Sequence, residues 1–509
     1  MSEAKNNPNF VFTGIPRGVP GRKEGKGPGY ELSQVPNAQW LPAETILRDF
    51  SYAPKKILLG GLGRNLIGIA DDRHVITVAG SRAGKSVLLA SNLIHYAGSV
   101  LVVDPKGELA GITAKRRAEG LGQKVCVLDP FAKTAPWVEP YRAGFNPLSL
   151  LKVDSKTILE DAGLIADALV ISSQQADPHW DESAKSFIEG VILHVITYGG
   201  YEGKRNLVTV YELLAKGKEQ GEDKTSIEGV VEEMIHNATH LPYTEIAGAI
   251  EASALDFAER PDREQGSVLS TIRRHIRFLG YQSMQGVLDR HDFDLTELKT
   301  ASQGMTIYLC LPAGRMGTCN RWLRLFVNLA LEAMEREATK PNPPVLLCLD
   351  EFPILGYMKQ IEDAAGQIAG FGVKLWPILQ DLSQLKSLYR DRWETFMGNA
   401  GVIQFYGNAD LTTLEYIQKR LGKTALEIQR ESHIPTEMVG TKSNSIALHD
   451  LITAEEASRI FARDDELKRQ LIVIAGRAPM IIQRVAYYDP NDATFPYFRE
   501  KYNELEQKT

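Results

Sequence analysis

The sequence is poor in cysteine, with four in 509 residues and no two of them spaced as a CxxC pair. That excludes a disulfide framework and removes the usual ligands of structural zinc and thioredoxin-type redox centres. Cys126, Cys310 and Cys348 sit inside apolar, strand-like runs, and Cys319 sits at the start of a helical stretch. No uncharged apolar run approaches the ~20 residues a membrane-spanning helix needs. The polar start MSEAKNNPNF lacks the apolar core of a cleaved secretory signal. Repeats, low-complexity tracts, His/Cys metal clusters and a Ser/His/Asp hydrolase signature are also missing. What is present is globular: with 43% hydrophobic and 24% charged residues, wholesale disorder and fibrous architectures are excluded. The length exceeds one core and points to two to four domains. The expectation is a reduced, cytoplasmic, multidomain protein.

Charge is unevenly placed. The chain carries a net −6, but residues 154–299 hold 26 acidic and 14 basic residues, a local net of −12 that leaves the rest at +6. Such a split suggests different partners for different regions, and a solvated acidic helix face accounts for it equally well. Residues 1–30 contain six glycines and four prolines and are mildly basic, so they cannot bury much apolar area.

The runs HVITV (74–78) and VLVV (100–103) are short, β-branched and apolar, with helical stretches between or after them, as in a buried parallel sheet. Helical periodicity takes over in 156–172, 183–198 and 265–279. Strand-like runs return at 306–311, 345–349, 374–379, 402–406 and 471–475. The expected fold is α/β, a nucleotide-binding domain with a parallel-rich central sheet, interrupted by an all-α domain. The expected boundaries are a mobile tail at 1–50, the first part of the α/β domain at 51–153, the all-α insertion at 154–300, and the second part at 301–509.

AGSRAGKS, comprising Ala79, Gly80, Ser81, Arg82, Ala83, Gly84, Lys85 and Ser86, follows the strand HVITV and opens a helical run. It fits the phosphate-loop pattern, with Ala79 where glycine is commoner. Gly80 and Gly84 let the backbone curl its N–H groups toward phosphate oxygens. Lys85 neutralises the β/γ-phosphates, Ser86 offers a hydroxyl to Mg²⁺, and the helix start favours an anion. The run VLLCL ends in Asp350-Glu351, two carboxylates delivered at the end of a buried strand. Asp350 suits Mg²⁺ and Glu351 suits polarisation of an attacking water. The absence of an NKxD-like motif argues against a GTPase and leaves ATP with Mg²⁺ as the expected ligands. Gln380 ends the strand KLWPIL, placed to face the γ-phosphate if that strand lies between the other two. Asp104, Lys106 and Glu108 either reach the site's edge or form a plain turn. His194 reads as a satisfied core histidine. Arg273, Arg274 and Arg277 line the polar side of a helix, as a solvated face or as a contact to nucleic acid or protein.

Taken in order, AGSRAGKS, VLVVDPKGEL (100–109), FNPL (145–148), HWDESAKSFIEGVIL (179–193), VLLCLDEFPILG (345–356), ILQDLSQLKSLY (378–389) and ITAEEASRI (452–460) resemble the type IV secretion coupling proteins, the TraG/TraD-like conjugative DNA-transfer ATPases. The resemblance covers about residues 60–490. It implies a RecA-like nucleotide-binding domain and an all-α domain assembling as a hexameric ring. It also implies ATP hydrolysis coupled to transfer, with recruitment of a relaxase–DNA complex or of secreted protein substrates to a type IV secretion channel. The DNA would be single-stranded during transfer, and the acidic helical domain would bind the protein substrates. Lys85 and Ser86 fall on the family's phosphate and Mg²⁺ positions, Asp350 and Glu351 on its Walker B pair, and Gln380 on its post-strand glutamine. Two departures stand out. The family typically begins with membrane helices and no such run stands here, so this chain is expected to be a soluble cytoplasmic member or to reach the inner membrane peripherally through partners. The family also often carries an arginine where Ala369 stands here, which leaves Arg390, Arg392 or Arg420 as alternative arginine fingers. Two other functions fit the same residues: an FtsK/HerA-like cytoplasmic DNA translocase, or a non-motor adaptor in which nucleotide only holds the fold.

Overall fold

The computed structural model describes residues 37–171, 178–219, 225–432 and 441–504, so residues 1–36 of the expected tail lie outside the described residues. In chain order the strands are β1 (Ile57–Leu62), β2 (Asn65–Ile69), β3 (His74–Ala79), β4 (Val100–Val103), β5 (Lys124–Leu128), β6 (Lys218–Glu219), β7 (Thr225–Ser226), β8 (Met305–Leu309), β9 (Val345–Leu349), β10 (Val373–Leu379), β11 (Ala400–Tyr406), β12 (Lys423–Ser432), β13 (Thr441–Asp450), β14 (Arg469–Ile474) and β15 (Met480–Gln483). The chain folds as two compact units. One comprises Met1–Ala97, Cys348–Pro353 and Lys374–Tyr502; the other comprises Gly98–Leu347, Ile354–Val373 and Asn503–Thr509.

In the first unit the strand order is β2-β1-β15-β14-β11-β3-β10, with the end of β9 beyond β10. β10 and β11 flank β3 in parallel, and from β11 outward every pairing is antiparallel. All residues of β3, β10 and β11 are buried, which explains why their sequences are continuous apolar runs rather than alternating ones. A polar seam crosses this sheet. Trp376 Nε1 donates to Thr77 Oγ1 at 2.9 Å, Thr77 donates to Gln404 Oε1 at 2.8 Å, and Gln404 Nε2 donates to the Leu59 carbonyl at 3.2 Å. Each buried polar group in that chain is satisfied by the next, so the seam fixes register without an unpaired-group cost. The register places Leu379 beside Val78 and Tyr406 beside Ala79, so β10, β3 and β11 end at one edge. In α/β sheets this carboxyl edge is where ligands bind.

In the second unit β4, β8 and β5 pair in parallel, with the start of β9 on the far side of β4. Arg117 is fully buried there, donating to Thr306 Oγ1 and to the Gly98 carbonyl. The helices of this unit include Ile158–Leu169, Pro178–Thr197, Leu207–Lys216, Ile227–His240, Thr244–Ala258 and Asp262–Ile276, with β6 and β7 as a two-residue ladder. His194 is a core residue with partners on both ring nitrogens. Asn237 Nδ2 donates to its Nδ1, and its Nε2 meets Glu233 Oε1, each at 3.1 Å. Arg273, Arg274 and Arg277 are exposed. Asp104 is buried and its Oδ2 accepts from Ala110 N at 2.9 Å, capping the helix Glu108–Lys115, while Lys106 and Glu108 form an exposed pair. The plain-turn reading of that motif therefore describes these contacts.

Candidate nucleotide-binding site

The phosphate loop lies wholly in the first unit, between β3 and the helix Lys85–His95. Ala79 is the last residue of β3 and is fully buried, so it needs no left-handed backbone and the alanine is tolerated there. Gly80 is different: a Cβ would come 1.9 Å from the carbonyl oxygen of Gly407, a backbone atom that cannot rotate away. Gly80 N in turn donates to the Tyr406 carbonyl at 3.1 Å, so the loop is fastened to the end of β11. Gly84 caps the helix with φ +100° and no side chain caps the first turn. The helix start is thus left for an anion, which fits a phosphate. Lys85 Nζ donates to the Ala79 carbonyl at 3.3 Å, arching back across the loop. Ser81 and Arg82 are exposed, and Ser86 is partly buried in the helix's first turn.

Across β10 sits the acid pair. The strand order β3-β10-β9 puts the Gln380 strand between the phosphate-loop strand and the Asp350-Glu351 strand. Gln380 Nε2 donates to Glu351 Oε1 at 2.7 Å. Glu351 holds φ +56°, a left-handed conformation costing roughly 1–3 kcal/mol in a non-glycine residue, and its N–H bonds Asp350 Oδ1 at 3.1 Å. Strain of that size is held only where surrounding contacts over-determine it, and here it aims the carboxylate at Gln380. Arg390, Arg392 and Arg420 are all exposed.

Four side chains beside the loop escape a motif search. Asn408, buried just past β11, donates to the Gln380 carbonyl at 3.3 Å, and its Oδ1 has no partner. Tyr406 ends the strand that pairs with β3. Gln470 on β14 and Arg484 just after β15 reach the loop's flank from some 400 residues away. Arg484 donates to the Ala83 carbonyl at 3.1 Å and lies over the Tyr406 ring at 5.6 Å. Burial lowers the Arg484 guanidinium and raises the Tyr406 phenol. Among these, only the Gly-Asn that closes VIQFYGN has a local signal.

A phosphate loop at the carboxyl edge of β3, with a glutamine strand and a DE strand beside it, defines a RecA-like α/β nucleotide-binding fold. Within that class, the chain belongs to the Type IV secretory system Conjugative DNA transfer family, whose profile matches residues 31–509. It is 27% identical over 408 residues to a conjugal transfer protein TraG of Escherichia coli, covering 76% of this chain and 61% of the relative. It is 25% identical over 425 residues to protein VirD4 of Rhizobium radiobacter, covering 82% and 57%. The chain therefore spans about three fifths of the length of these curated relatives. Among solved structures it resembles the plasmid coupling protein TrwB in complex with ADP and Mg²⁺, with a TM-score of 0.62 at 14% identity, covering 92% of this chain and 99% of that one. The unbound coupling protein TrwBdeltaN70 gives the same TM-score with 89% and 95% covered. At that identity the likeness is one of fold. Among the described residues no helix is long and apolar enough to cross a membrane.

Proposed function

We propose that this chain is an ATP-hydrolysing coupling protein that drives DNA or protein transfer through a type IV secretion apparatus. The observation that carries the reading is the hydrogen bond from Gln380 to Glu351 at the edge that also presents the phosphate loop, in a chain of the conjugative DNA-transfer family. Lys85 and the helix start would bind the β/γ-phosphates. Ser86 and Asp350 would hold Mg²⁺, which supplies charge neutralisation between those phosphates. Glu351 would orient and polarise water, and Gln380 would fix the carboxylate's rotamer and sense the γ-phosphate. TrwB in complex with ADP and Mg²⁺ supports the same ligands here.

A homo-hexamer is the proposed assembly, with a cation from the neighbouring subunit completing each site. The helical stretch 154–300 is proposed as an all-α domain whose acidic character suits a basic relaxase or a secreted protein rather than DNA, since phosphate contacts need Lys and Arg. Single-stranded DNA would pass through the ring during transfer. The proposed location is the cytoplasmic face of the inner membrane, reached through partners. The test is steady-state ATP hydrolysis with and without single- and double-stranded DNA. Turnover that rises with DNA and vanishes in Glu351→Gln supports a motor; turnover indifferent to DNA and to secretion partners would make the chain an adaptor.

A further inference from the structure

Within the second unit, the helices Ala313–Arg336 and Lys359–Gln367 pack against each other and border a cavity of about 160 Å³. The first helix lines it with Asn328, Leu331, Glu332 and Glu335, spaced i, i+3, i+4 and i+7 on one face. The second lines it with Gln360, Asp363, Ala364 and Gln367 at the same spacing. One of these residues does not suit a structural role. Asn328 breaks the apolar run LFVNLAL of its helix, is 2% exposed, and its Oδ1 has no hydrogen-bond partner. A buried acceptor without a donor costs free energy that a leucine there would not, unless a ligand or water satisfies it. The cavity is roomier than a single water needs.

Charge says what kind of ligand. Every charged residue lining the cavity is acidic. Glu335 and Asp363 are exposed and have no ion-pair partner among the described residues; Lys359, one residue before Gln360, pairs with neither. Glu332 Oε1 accepts from Arg336 Nε at 2.6 Å, but the same guanidinium also holds Asp161, so that trio keeps a net negative charge. No group of three His, Cys, Asp or Glu side chains among the described residues is arranged to hold a metal ion, so the charge suits an organic cation.

We infer that this cavity seats the guanidinium of an arginine side chain presented by a basic segment of a protein partner. A guanidinium carries five N–H donors in a planar fork and accepts nothing, so it matches a site that offers acceptors alone. Asn328 Oδ1 and Glu335 from one helix and Asp363 from the other supply those acceptors. Leu331, Ala364 and Phe371 give the arginine's aliphatic stem an apolar wall. The same carboxylates repel a nucleic-acid backbone. The inference stands apart from the nucleotide reading. Its polar groups all lie outside the acidic stretch 154–300, on helices of the unit that does not carry the phosphate loop.

The test titrates the full chain into a dye-labelled peptide Gly-Ser-Gly-Arg-Gly-Ser, read by fluorescence anisotropy, beside the same peptide with citrulline, its neutral near-isostere, in place of arginine. The expected result is salt-sensitive binding of the arginine peptide and about tenfold or weaker binding of the citrulline one. Asn328→Leu weakens the arginine peptide about three- to tenfold. It leaves the ligand-free melting temperature unchanged or higher, because it removes an unpartnered buried group. Glu335→Gln with Asp363→Asn weakens binding by a similar factor. Glu228→Gln with Glu245→Gln, an equal charge change at exposed positions of other helices, leaves binding at the wild-type level. Equal binding of the two peptides, wild-type affinity in both cavity variants, or an equal loss in the control pair overturns the inference. So does spermidine that displaces the peptide at concentrations below the peptide's own Kd, which assigns the cavity to a free polyamine. ADP binding stays at the wild-type level in every variant; its absence from the wild type would overturn the nucleotide reading alone.

Discussion

Gln380 Nε2 and Glu351 Oε1 are 2.7 Å apart, joining two residues 29 positions apart in sequence just past the ends of neighbouring strands. On the proposed mechanism the contact makes Gln380 a positioning residue for the carboxylate. Glu351→Gln should retain nucleotide binding and lose about 100-fold or more in kcat, because the water loses its base. Lys85→Ala should lose binding as well. Gln380→Ala should lower kcat with little change in KM, since it frees the Glu351 rotamer without touching the phosphate loop. Steady-state ATP hydrolysis paired with a nucleotide-binding titration separates the three outcomes; a Glu351→Gln enzyme at the wild-type rate would remove this residue from the chemistry.

Gly80 meets the Gly407 carbonyl so closely that one methyl group cannot be inserted. Gly80→Ala should destabilise the fold by roughly 1–3 kcal/mol, the range for overpacking a tight interior, and abolish ADP binding by displacing the loop. Gly248→Ala is the control. It lies in the helix Thr244–Ala258 with nothing near its would-be Cβ, so it should be neutral or gain up to about 1 kcal/mol. Urea unfolding of both variants checks this.

Lys374 is buried near the start of β10 and donates to the Asp71 carbonyl; burial lowers its ammonium from 10.5 to about 8. Between those values the unfolded chain holds a proton that the folded chain has lost. The Lys374 contribution to stability therefore rises as pH climbs from about 8 to 10.5. Below pH 8 both states are charged and the burial cost stands in full. Lys374→Met should stabilise the protein near pH 7 by on the order of 3 kcal/mol at most, with the gain fading by pH 10.5. Denaturation of both proteins across that range reads the difference; a gain independent of pH would refute it.

The proposed ring has a kinetic signature. An arginine finger is worth about 10³–10⁵ in rate where it operates, and the acid pair and Gln380 of one subunit supply none. Specific ATPase activity should climb with protein concentration or added DNA as subunits assemble. Arg390→Ala, Arg392→Ala and Arg420→Ala should identify a finger by loss of that climb with nucleotide binding intact. Constant specific activity over a wide range, with a monomer by light scattering, would refute the ring.

Much of this fold is legible in sequence because its central strands are buried on both faces. The runs at 74–78, 100–103, 345–349 and 402–406 correspond to β3, β4, β9 and β11 within three residues at either end. β1, β2 and β15 are not legible. β1 reads ILLGGL, and paired glycines look like a loop. Yet a Cβ at Gly60 would sit 2.4 Å from Gln470 Nε2 and from the Gln483 carbonyl, so the glycine makes room for a neighbouring strand. β15 is only four residues long. The candidate site divides the same way. Its phosphate loop and acid pair are contiguous motifs whose residue types reveal them. Asn408, Tyr406, Gln470 and Arg484 come to the loop through strand register, and register is set by pairings that a linear reading does not contain.

Arg484 is made 401 residues after the Ala83 carbonyl it holds. Every motif from the phosphate loop to Gln380 is translated before residue 400. At that stage β14 has not been translated, β1 has no β15 beside it, and the Ala83 carbonyl has no Arg484 to hold it. A nascent chain stalled before residue 480 would carry the whole nucleotide signature while its loop lacks the Arg484 bond and β1 stands as an open sheet edge. Such edges are the part of a partly made chain most prone to pair wrongly. The interval in which that edge stays open runs from translation of β1 to translation of β15.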